Sequence, residues 1–256
     1  MHECLPTTIA NNMLGRMRRT HDQSGISIFT GPPGIGKTTA INAFKSEFPD
    51  QVAVVTIPGK NVRGPLVIRH VIRAMRTLNQ YPSDSHIQSE TSRLARELQQ
   101  QMLDWQHMFN QREHLTVVFD EAQTLSREAV ETLRFYNDAA TPDAPFPLGL
   151  IFVGNDELSL RVDETGRSTI SGAVASRALY QVELGGSDLK ANDYALLLSA
   201  AGIQDEAAIA LVVGFFTRAR VPRDLRHLKR LIGDFRDEAD GHPITAETVK
   251  SVLMIA

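Results

Sequence analysis

A glycine-rich segment between a strand-like run and a helix-like run narrows the choice of folds more than any other feature. Residues 31–38 read GPPGIGKT and match the phosphate-binding pattern G-x-x-x-x-G-K-[ST] at every fixed position. The apolar run 26–29 before it is typical of a strand, and residues 39–44 after it are typical of a helix. The pattern needs this context, because backbone N–H groups and a helix N-terminus must all point at one anion.

The sequence therefore predicts a nucleoside triphosphate site with ATP and Mg²⁺ as cofactors. Lys37 would reach the β- and γ-phosphates, and the Thr38 hydroxyl would coordinate the metal ion. A glycine-rich turn with an incidental lysine is the competing interpretation, and the flanking strand and helix disfavour it. The predicted cofactor-binding residues are Gly31, Pro32, Pro33, Gly34, Ile35, Gly36, Lys37, Thr38 and Thr39.

Five short apolar or β-branched runs alternate with helical patterns through the first two thirds of the chain. The predicted strands lie at 25–30, 52–57, 115–119, 148–153 and 180–184, and the helices at 37–48, 65–78, 86–109 and 127–137. Most of these runs are apolar throughout, as expected of strands buried on both faces of a parallel sheet. We predict an α/β fold with a five-stranded, mostly parallel sheet flanked by helices, which binds ligands at the strand C-termini.

The strand pattern stops at about residue 187, and helices are predicted at 188–201, 205–217, 222–237 and 245–255. Ser, Asp or Thr caps, or Pro in the first turn, precede these segments. The predicted domain plan is an N-terminal helical segment at 1–24, an α/β nucleotide-binding domain at 25–186 and a small helical lid domain at 187–256. Gly185 and Gly186 are the expected hinge.

The overall composition, with 42% hydrophobic and 22% charged residues, is typical of a globular protein. No apolar run approaches the roughly 18 residues of a membrane span, and no secretory hydrophobic stretch begins the sequence. A single cysteine fits a reducing compartment, so we expect a cytoplasmic protein without a membrane partner. Because the net charge is −3, any nucleic-acid role must depend on a local basic strip repeated by oligomerisation.

Two adjacent carboxylates, Asp120 and Glu121, follow the apolar run Thr116–Phe119. An acidic residue at a strand end can hold the hydration shell of Mg²⁺, and the next can accept a proton from attacking water. We assign Asp120 to the metal and Glu121 to the general base. Neighbouring carboxylates also occur by chance on surfaces, but the preceding strand favours the functional interpretation.

Three polar residues complete the predicted catalytic set. Asn155 follows the fourth strand and could orient the attacking water, although it could also simply cap a helix at Asp156 and Glu157. Arg177, just before the fifth strand, could stabilise phosphoryl transfer in an adjacent subunit, with Arg167 as the competitor for that role. Arg223, at the start of a predicted helix of the C-terminal region, could reach the γ-phosphate. For each arginine, an ordinary surface position is the alternative.

This order of motifs resembles the AAA+ ATPases over nearly the whole chain. Within that superfamily, Asp120-Glu121-Ala122-Gln123 with Leu125, and the string from Phe152 to Asn155, are similar to the transposition-regulator group. That group includes phage Mu transposition protein B, TnsC and TniB, and the secretion ATPase ExeA is a relative. The resemblance implies ATP-dependent assembly into rings or helical filaments on duplex DNA, target selection, and stimulation of a transposase.

Candidate DNA contacts come from basic residues that repeated subunits would present to phosphates without reading bases. In assemblies of this group, the segment after the second strand faces the central channel, which favours Lys60 and Arg63, with Arg69 nearby. Arg93 and Arg96 are equally well explained as a solvated helix face. A second basic strip could serve subunit or partner contacts instead and comprises Arg218, Arg220, Arg226, Lys229 and Arg230.

Two other function classes remain open at this point. An AAA+ ATPase could act on a protein partner without DNA, as in secretion or signalling. A small-molecule kinase of the phosphate-loop class is the third possibility. Glu121 and Arg223 disfavour the kinase, because they suit water activation and sensing of the γ-phosphate rather than binding of an acceptor.

Overall fold

The computed structural model describes residues 7–57, 59, 61–82, 87, 90–109, 114–138, 145–160, 169–218 and 221–255. The predicted residues Lys60, Arg167 and Arg220 lie outside these ranges. Chain contacts divide the protein into two compact units. One contains residues 13–31 and 41–183, and the other contains residues 1–12, 32–40 and 184–256.

The first unit is built on a parallel five-stranded sheet, as predicted. Its strands are β1 (Ile26–Thr30), β2 (Val52–Thr56), β3 (Thr116–Asp120), β4 (Gly149–Gly154) and β5 (Ala178–Glu183). They run in the order β2-β3-β4-β1-β5, and every neighbouring pair is parallel. The C-terminal ends of all five strands therefore lie at one edge of the sheet.

Burial along the strands explains why the sequence pattern was readable. Every residue of the three central strands β1, β3 and β4 is buried, which matches their largely apolar sequences. Strand β5 lies at the sheet edge and alternates between half-buried and exposed residues. It begins at Ala178 rather than at Tyr180, because a register shift against β1 extends the pairing by two residues.

Helices cover the sheet and enclose the main hydrophobic core. The helices of this part of the chain are α1 (Thr8–Asp22), α2 (Lys37–Glu47), α3 (Gly64–Leu78), α4 (Thr91–Met108), α5 (Arg127–Asn137), α6 (Glu157–Leu160) and α7 (Gly172–Ala175). Helices α1 and α2 each pass from one compact unit to the other. The core of the first unit includes the fully buried Trp105, Phe119 and Phe152, and the last two rings stack 5.3 Å apart.

The C-terminal part of the chain forms four helices, in agreement with the predicted segments. They are α8 (Ala191–Ala200), α9 (Glu206–Thr217), α10 (Leu225–Ala239) and α11 (Ala246–Ile255). Helix α10 begins three residues later than predicted because Asp224, not Pro222, caps it: the Asp224 side chain accepts a hydrogen bond from the Arg226 amide at 2.7 Å. None of the helices in the described ranges has the length and hydropathy that a bilayer crossing needs.

Candidate functional site

The phosphate loop owes its shape to two glycines in the left-handed region. Gly34 has φ +85° and Gly36 has φ +102°, conformations that side chains on L-residues disfavour. Helix α2 begins at Lys37, so its N-terminal N–H groups lie at the end of the loop. The Lys37 ammonium donates to the Pro32 carbonyl at 2.9 Å, which keeps this cation on the loop itself.

The same loop makes a close contact with the start of helix α10 inside the second compact unit. The Leu225 amide donates to the Gly34 carbonyl at 3.0 Å. A Cβ atom on Gly34 would lie 1.9 Å from the Asp224 carboxylate oxygen Oδ1, so only glycine fits beside that carboxylate. The sequence reasoning did not identify Asp224, although its position ahead of an apolar helical stripe is that of an N-cap.

Arg223 precedes this contact directly and is half-buried. Its carbonyl oxygen and Cβ leave no room for a side chain at Gly186, where an added Cβ would meet them at 2.9 and 3.0 Å. With Ser187, Arg218 and Val221, these two residues line an open cavity of about 370 Å³. The structure therefore holds the Arg223 backbone in place, and its role in sensing the γ-phosphate stays a prediction.

Tyr194 is a second residue of this unit that sequence reasoning missed. It is 1% exposed and stacks on Phe216 with ring centroids 4.8 Å apart. Among the described residues its buried hydroxyl has no hydrogen-bond partner. Burial, more than the nearby charges of Asp193 and Asp224, raises the pKa of Tyr194 to about 12, although the Arg223 guanidinium acts in the opposite direction.

The predicted acidic pair lies at the C-terminal edge of the sheet. Asp120 ends the buried strand β3 and is 8% exposed, whereas Glu121 is exposed. The Asp120 oxygen Oδ1 accepts a hydrogen bond from the Glu121 amide at 3.0 Å. Glu121 has φ +59° and ψ +37°, a left-handed conformation that a non-glycine residue adopts at a cost and that is often found at functional sites.

Gln123 connects this carboxylate to the end of the neighbouring strand. Its side-chain nitrogen Nε2 donates to Glu121 Oε2 at 2.5 Å, and its side-chain oxygen Oε1 accepts from the backbone N–H of Asn155 at 3.2 Å. Strands β3 and β4 pair directly, so Asn155 lies one strand away from Asp120 along the same edge. In the sequence, Gln123 is noted only as part of the Asp120–Gln123 motif that resembles the transposition-regulator group. The structure shows that its side chain contacts both Glu121 and Asn155.

The structure shows how Asn155 is used within its own segment. Its oxygen Oδ1 accepts from the Glu157 amide at 3.0 Å, the helix-capping contact that was weighed against a role in orienting water. An asparagine side chain also carries an NH₂ group, and this cap uses only the oxygen. Orientation of the attacking water by Asn155 stays a prediction.

Arg177 lies between α7 and β5, and its side chain is 46% exposed. Its guanidinium contacts the Asp138 carboxylate at 3.3 Å and donates to the Ala173 carbonyl at 3.0 Å. Both partners lie near the surface, so the side chain is held in place while remaining accessible to another molecule. The competing residue Arg167 lies outside the described ranges, and the choice between the two is unchanged.

Three of the arginines considered as DNA contacts differ in burial and in hydrogen bonding. Arg63 occupies the N-cap position of α3, is exposed and makes no side-chain capping hydrogen bond. Arg69, one turn and a half further along, is half-buried, and its Nε atom is buried without a hydrogen-bond partner among the described residues. Arg93 forms an exposed ion pair with Glu90 at 2.8 Å, which is the solvated helix face that was the alternative for it.

The chemistry of the donor set fits magnesium. Asp120 and Thr38 offer carboxylate and hydroxyl oxygens, the hard ligands that Mg²⁺ takes together with water and substrate phosphates. In the described ranges, the side chains of His, Cys, Asp and Glu nowhere gather in threes as a metal cage would require. A magnesium ion bound mainly through nucleotide and water needs no such cage.

Comparison with solved structures identifies the same fold in three archaeal and bacterial proteins of low sequence identity. The ORC2 protein of Aeropyrum pernix in its ADP form has a TM-score of 0.63 at 15% identity, over 96% of this chain and 66% of that one. Cdc6p from Pyrobaculum aerophilum has a TM-score of 0.60 at 17% identity, over 93% and 62%. The RuvB Holliday junction branch migration motor of Thermotoga maritima has a TM-score of 0.53 at 17% identity, over 96% and 68%.

The chain thus spans about two thirds of the length of these structures. Among curated proteins, none matches it. A family model described as an AAA domain matches residues 19–162, which is more than half of the sequence and includes the phosphate loop, the acidic pair and Asn155. The chain therefore belongs to the AAA domain family of ATPases.

Proposed function

We propose that this protein hydrolyses ATP, oligomerises on duplex DNA when ATP is bound, and regulates DNA transposition by selecting target sites and recruiting a transposase. The resemblance of its acidic and polar strand ends to the transposition-regulator group supports the last part. Support for a DNA substrate also comes from RuvB, whose name describes a motor that moves a DNA junction.

Hydrolysis would use the phosphate loop and the polar residues that follow the strands. The phosphate loop follows β1 in the chain, and β1, β4 and β3 are adjacent strands whose C-terminal ends share one edge. Lys37 would neutralise the phosphates, Thr38 and Asp120 would hold Mg²⁺, and Glu121 would accept the proton of the attacking water. Bound magnesium supplies charge neutralisation at the phosphates. Asn155, Arg177 from a neighbouring subunit and Arg223 would complete the set.

The observation that carries the DNA proposal is a backbone connection between Arg63 and the loop after Glu121. The amide of Val62 donates to the Thr124 carbonyl at 3.0 Å, and the amide of Ser126 donates to the Val62 carbonyl at 2.9 Å. Val62 and Leu125 therefore form a parallel bridge beside the exposed Arg63. A phosphate held by Arg63 would act on the segment that leads directly back to the general base.

Charge explains why assembly should be required. A subunit with net charge −3 presents few cations to DNA and should bind weakly alone. An oligomer repeats Lys60 and Arg63 along the duplex, so that weak contacts add through effective concentration. Each phosphate that is neutralised releases counterions, so the affinity should fall steeply as salt rises.

The test is a duplex-DNA mobility shift with ATP and magnesium at low salt, on several unrelated sequences. The Lys60→Ala/Arg63→Ala double variant should bind all sequences more weakly and show a flatter salt dependence, while ATP binding persists. The control variant Lys190→Ala/Lys250→Ala removes the same charge from the C-terminal helices and should bind as the parent does. No shift by the parent would contradict the DNA role and favour a protein partner, as in ExeA-like secretion.

A further inference from the structure

Gln123 forms hydrogen bonds through both ends of its side-chain amide at the C-terminal end of strand β3. It is 6% exposed and lies in a short 3-10 turn, Ala122–Thr124, directly after Glu121. One end of its amide contacts a carboxylate and the other a backbone N–H of the adjacent strand. Such a buried bridge between two separate segments fixes their relative position.

The bridge requires the particular chemistry of an amide. An ionised Glu121 carboxylate can only accept hydrogen bonds, and the backbone N–H of Asn155 can only donate one. Glutamine offers one donor and one acceptor at the end of the same side chain, so it can satisfy both. A glutamate could serve only Asn155, a lysine only Glu121, and a methionine neither.

The backbone around the bridge is shaped to admit it. Gly154, the last residue of β4, has no side chain, and an added Cβ would lie 2.7 Å from Gln123 Oε1 and 3.2 Å from the backbone nitrogen of Gln123. Glu121 itself is in the left-handed region, which turns its side chain out of the strand direction. An exposed glutamate in this position would otherwise be free to sample several rotamers.

We propose that Gln123 is a positioning residue for ATP hydrolysis, holding the Glu121 carboxylate in the orientation in which it accepts the proton of the attacking water. The role rests on the proposed ATPase function. The backbone N–H of Asn155 is the other end of this bridge. The bridge therefore also sets the distance between the general base and the residue expected to orient water. Gln123 would touch neither nucleotide nor water.

A positioning role affects turnover without affecting nucleotide binding. The variant Gln123→Met keeps the side-chain length and removes both hydrogen bonds. Its kcat should fall on the order of tenfold to a hundredfold, because small misplacements of catalytic groups cost about that much, and its KM for ATP should be unchanged. The variant Gln123→Glu keeps the acceptor for Asn155 and sets a second carboxylate against Glu121, so its kcat should fall at least as far.

The decisive measurement is a double-mutant comparison of single-turnover rates. If Gln123 acts through the base, Gln123→Met should have no further effect in the Glu121→Gln background. The matched control is Gln101→Met. Gln101 is a buried glutamine in helix α4 that accepts a hydrogen bond from Asn79, and its replacement should leave kcat unchanged even if the melting temperature falls.

Equal losses of kcat in both backgrounds would assign Gln123 a purely structural role and overturn the proposal. Parental kcat in folded Gln123→Met, or in Gln123→Glu should the methionine variant not fold, would overturn it equally. A parent that binds ATP but releases no phosphate, with or without DNA, would instead contradict the ATPase function on which the proposal rests.

Discussion

The C-terminal ends of strands β3 and β4 hold their functional groups differently from the segment 32–40, which contains most of the phosphate loop. At the sheet edge, Asp120, Glu121 and Gln123 lie on or beside paired strands and are connected by side-chain hydrogen bonds. The phosphate loop instead forms one compact unit with the C-terminal helices, where the Gly34 carbonyl accepts from Leu225. The residues expected to cleave ATP are thus held at the end of β3 and just after it, and those expected to bind ATP lie in a loop that contacts the C-terminal helix α10.

This difference separates two kinds of variant. Changes at Asp120, Glu121 and Gln123 should affect turnover and spare nucleotide binding, because these residues lie at the end of β3 or just after it and are not part of the phosphate loop. Changes at the contact between the loop and helix α10 should affect both the stability of that unit and its affinity for ATP. The following predictions test that division, and each compares the variant with a second one.

The largest effect is expected for Arg177→Ala. Its side chain is held at the surface by Asp138 and Ala173, where it is accessible to a neighbouring subunit. ATP hydrolysis by the oligomer should fall on the order of a thousandfold, the scale of an arginine finger, while an isolated subunit still binds ATP. The control Arg93→Ala removes another exposed, ion-paired arginine and should leave hydrolysis at the parental rate.

Mixing assays decide whether Arg177 acts between subunits. Arg177→Ala combined with Glu121→Gln should regain part of the activity, since some interfaces would pair an intact arginine with an intact base. Activity that stays at the level of the single variants across all mixing ratios would contradict action in trans, and Arg167→Ala would be the next variant to assay.

A smaller effect is expected for Gly34→Ala, measured by chemical denaturation and by ATP affinity. The new Cβ would meet the Asp224 carboxylate, and the left-handed backbone would be strained. We expect a loss of about 1–3 kcal/mol in the free energy of unfolding together with weaker ATP binding. Gly202→Ala is the control, because Gly202 has φ +90° but open space around it. Equal losses in the two variants would show that backbone strain alone, without the contact to α10, explains the effect.

The smallest effect is expected for Tyr194→Phe. The hydroxyl is buried without a described partner, so its removal takes away a desolvation cost and should raise the free energy of unfolding by about 1 kcal/mol. Tyr194→Ala removes the ring that stacks on Phe216 and should cost about 3–5 kcal/mol. Thermal denaturation of the two variants measures both, and a loss of several kcal/mol in Tyr194→Phe would mean that the hydroxyl is hydrogen-bonded in solution.

Much of the fold was predictable because its signals are local. The largely apolar strand sequences and the phosphate loop place β1, β3 and β4 to within one residue, since burial on both faces favours apolar residues at successive positions. The contacts at Gln123 and Asp224 could not be predicted in this way. Gln123 and Asn155 are 32 positions apart in the chain, and Gly34 and Asp224 are 190 positions apart. Only the tertiary fold brings such residues together.

The central claim is that Glu121 serves hydrolysis and Lys37 serves binding, and one paired measurement tests it. ATP affinity by equilibrium titration and phosphate release should be measured on the same preparations of the parent, Glu121→Gln and Lys37→Ala. We predict that Glu121→Gln binds ATP as the parent does and loses turnover by roughly a hundredfold or more, whereas Lys37→Ala no longer binds ATP. Parental turnover in Glu121→Gln, or parental affinity in Lys37→Ala, would contradict the account.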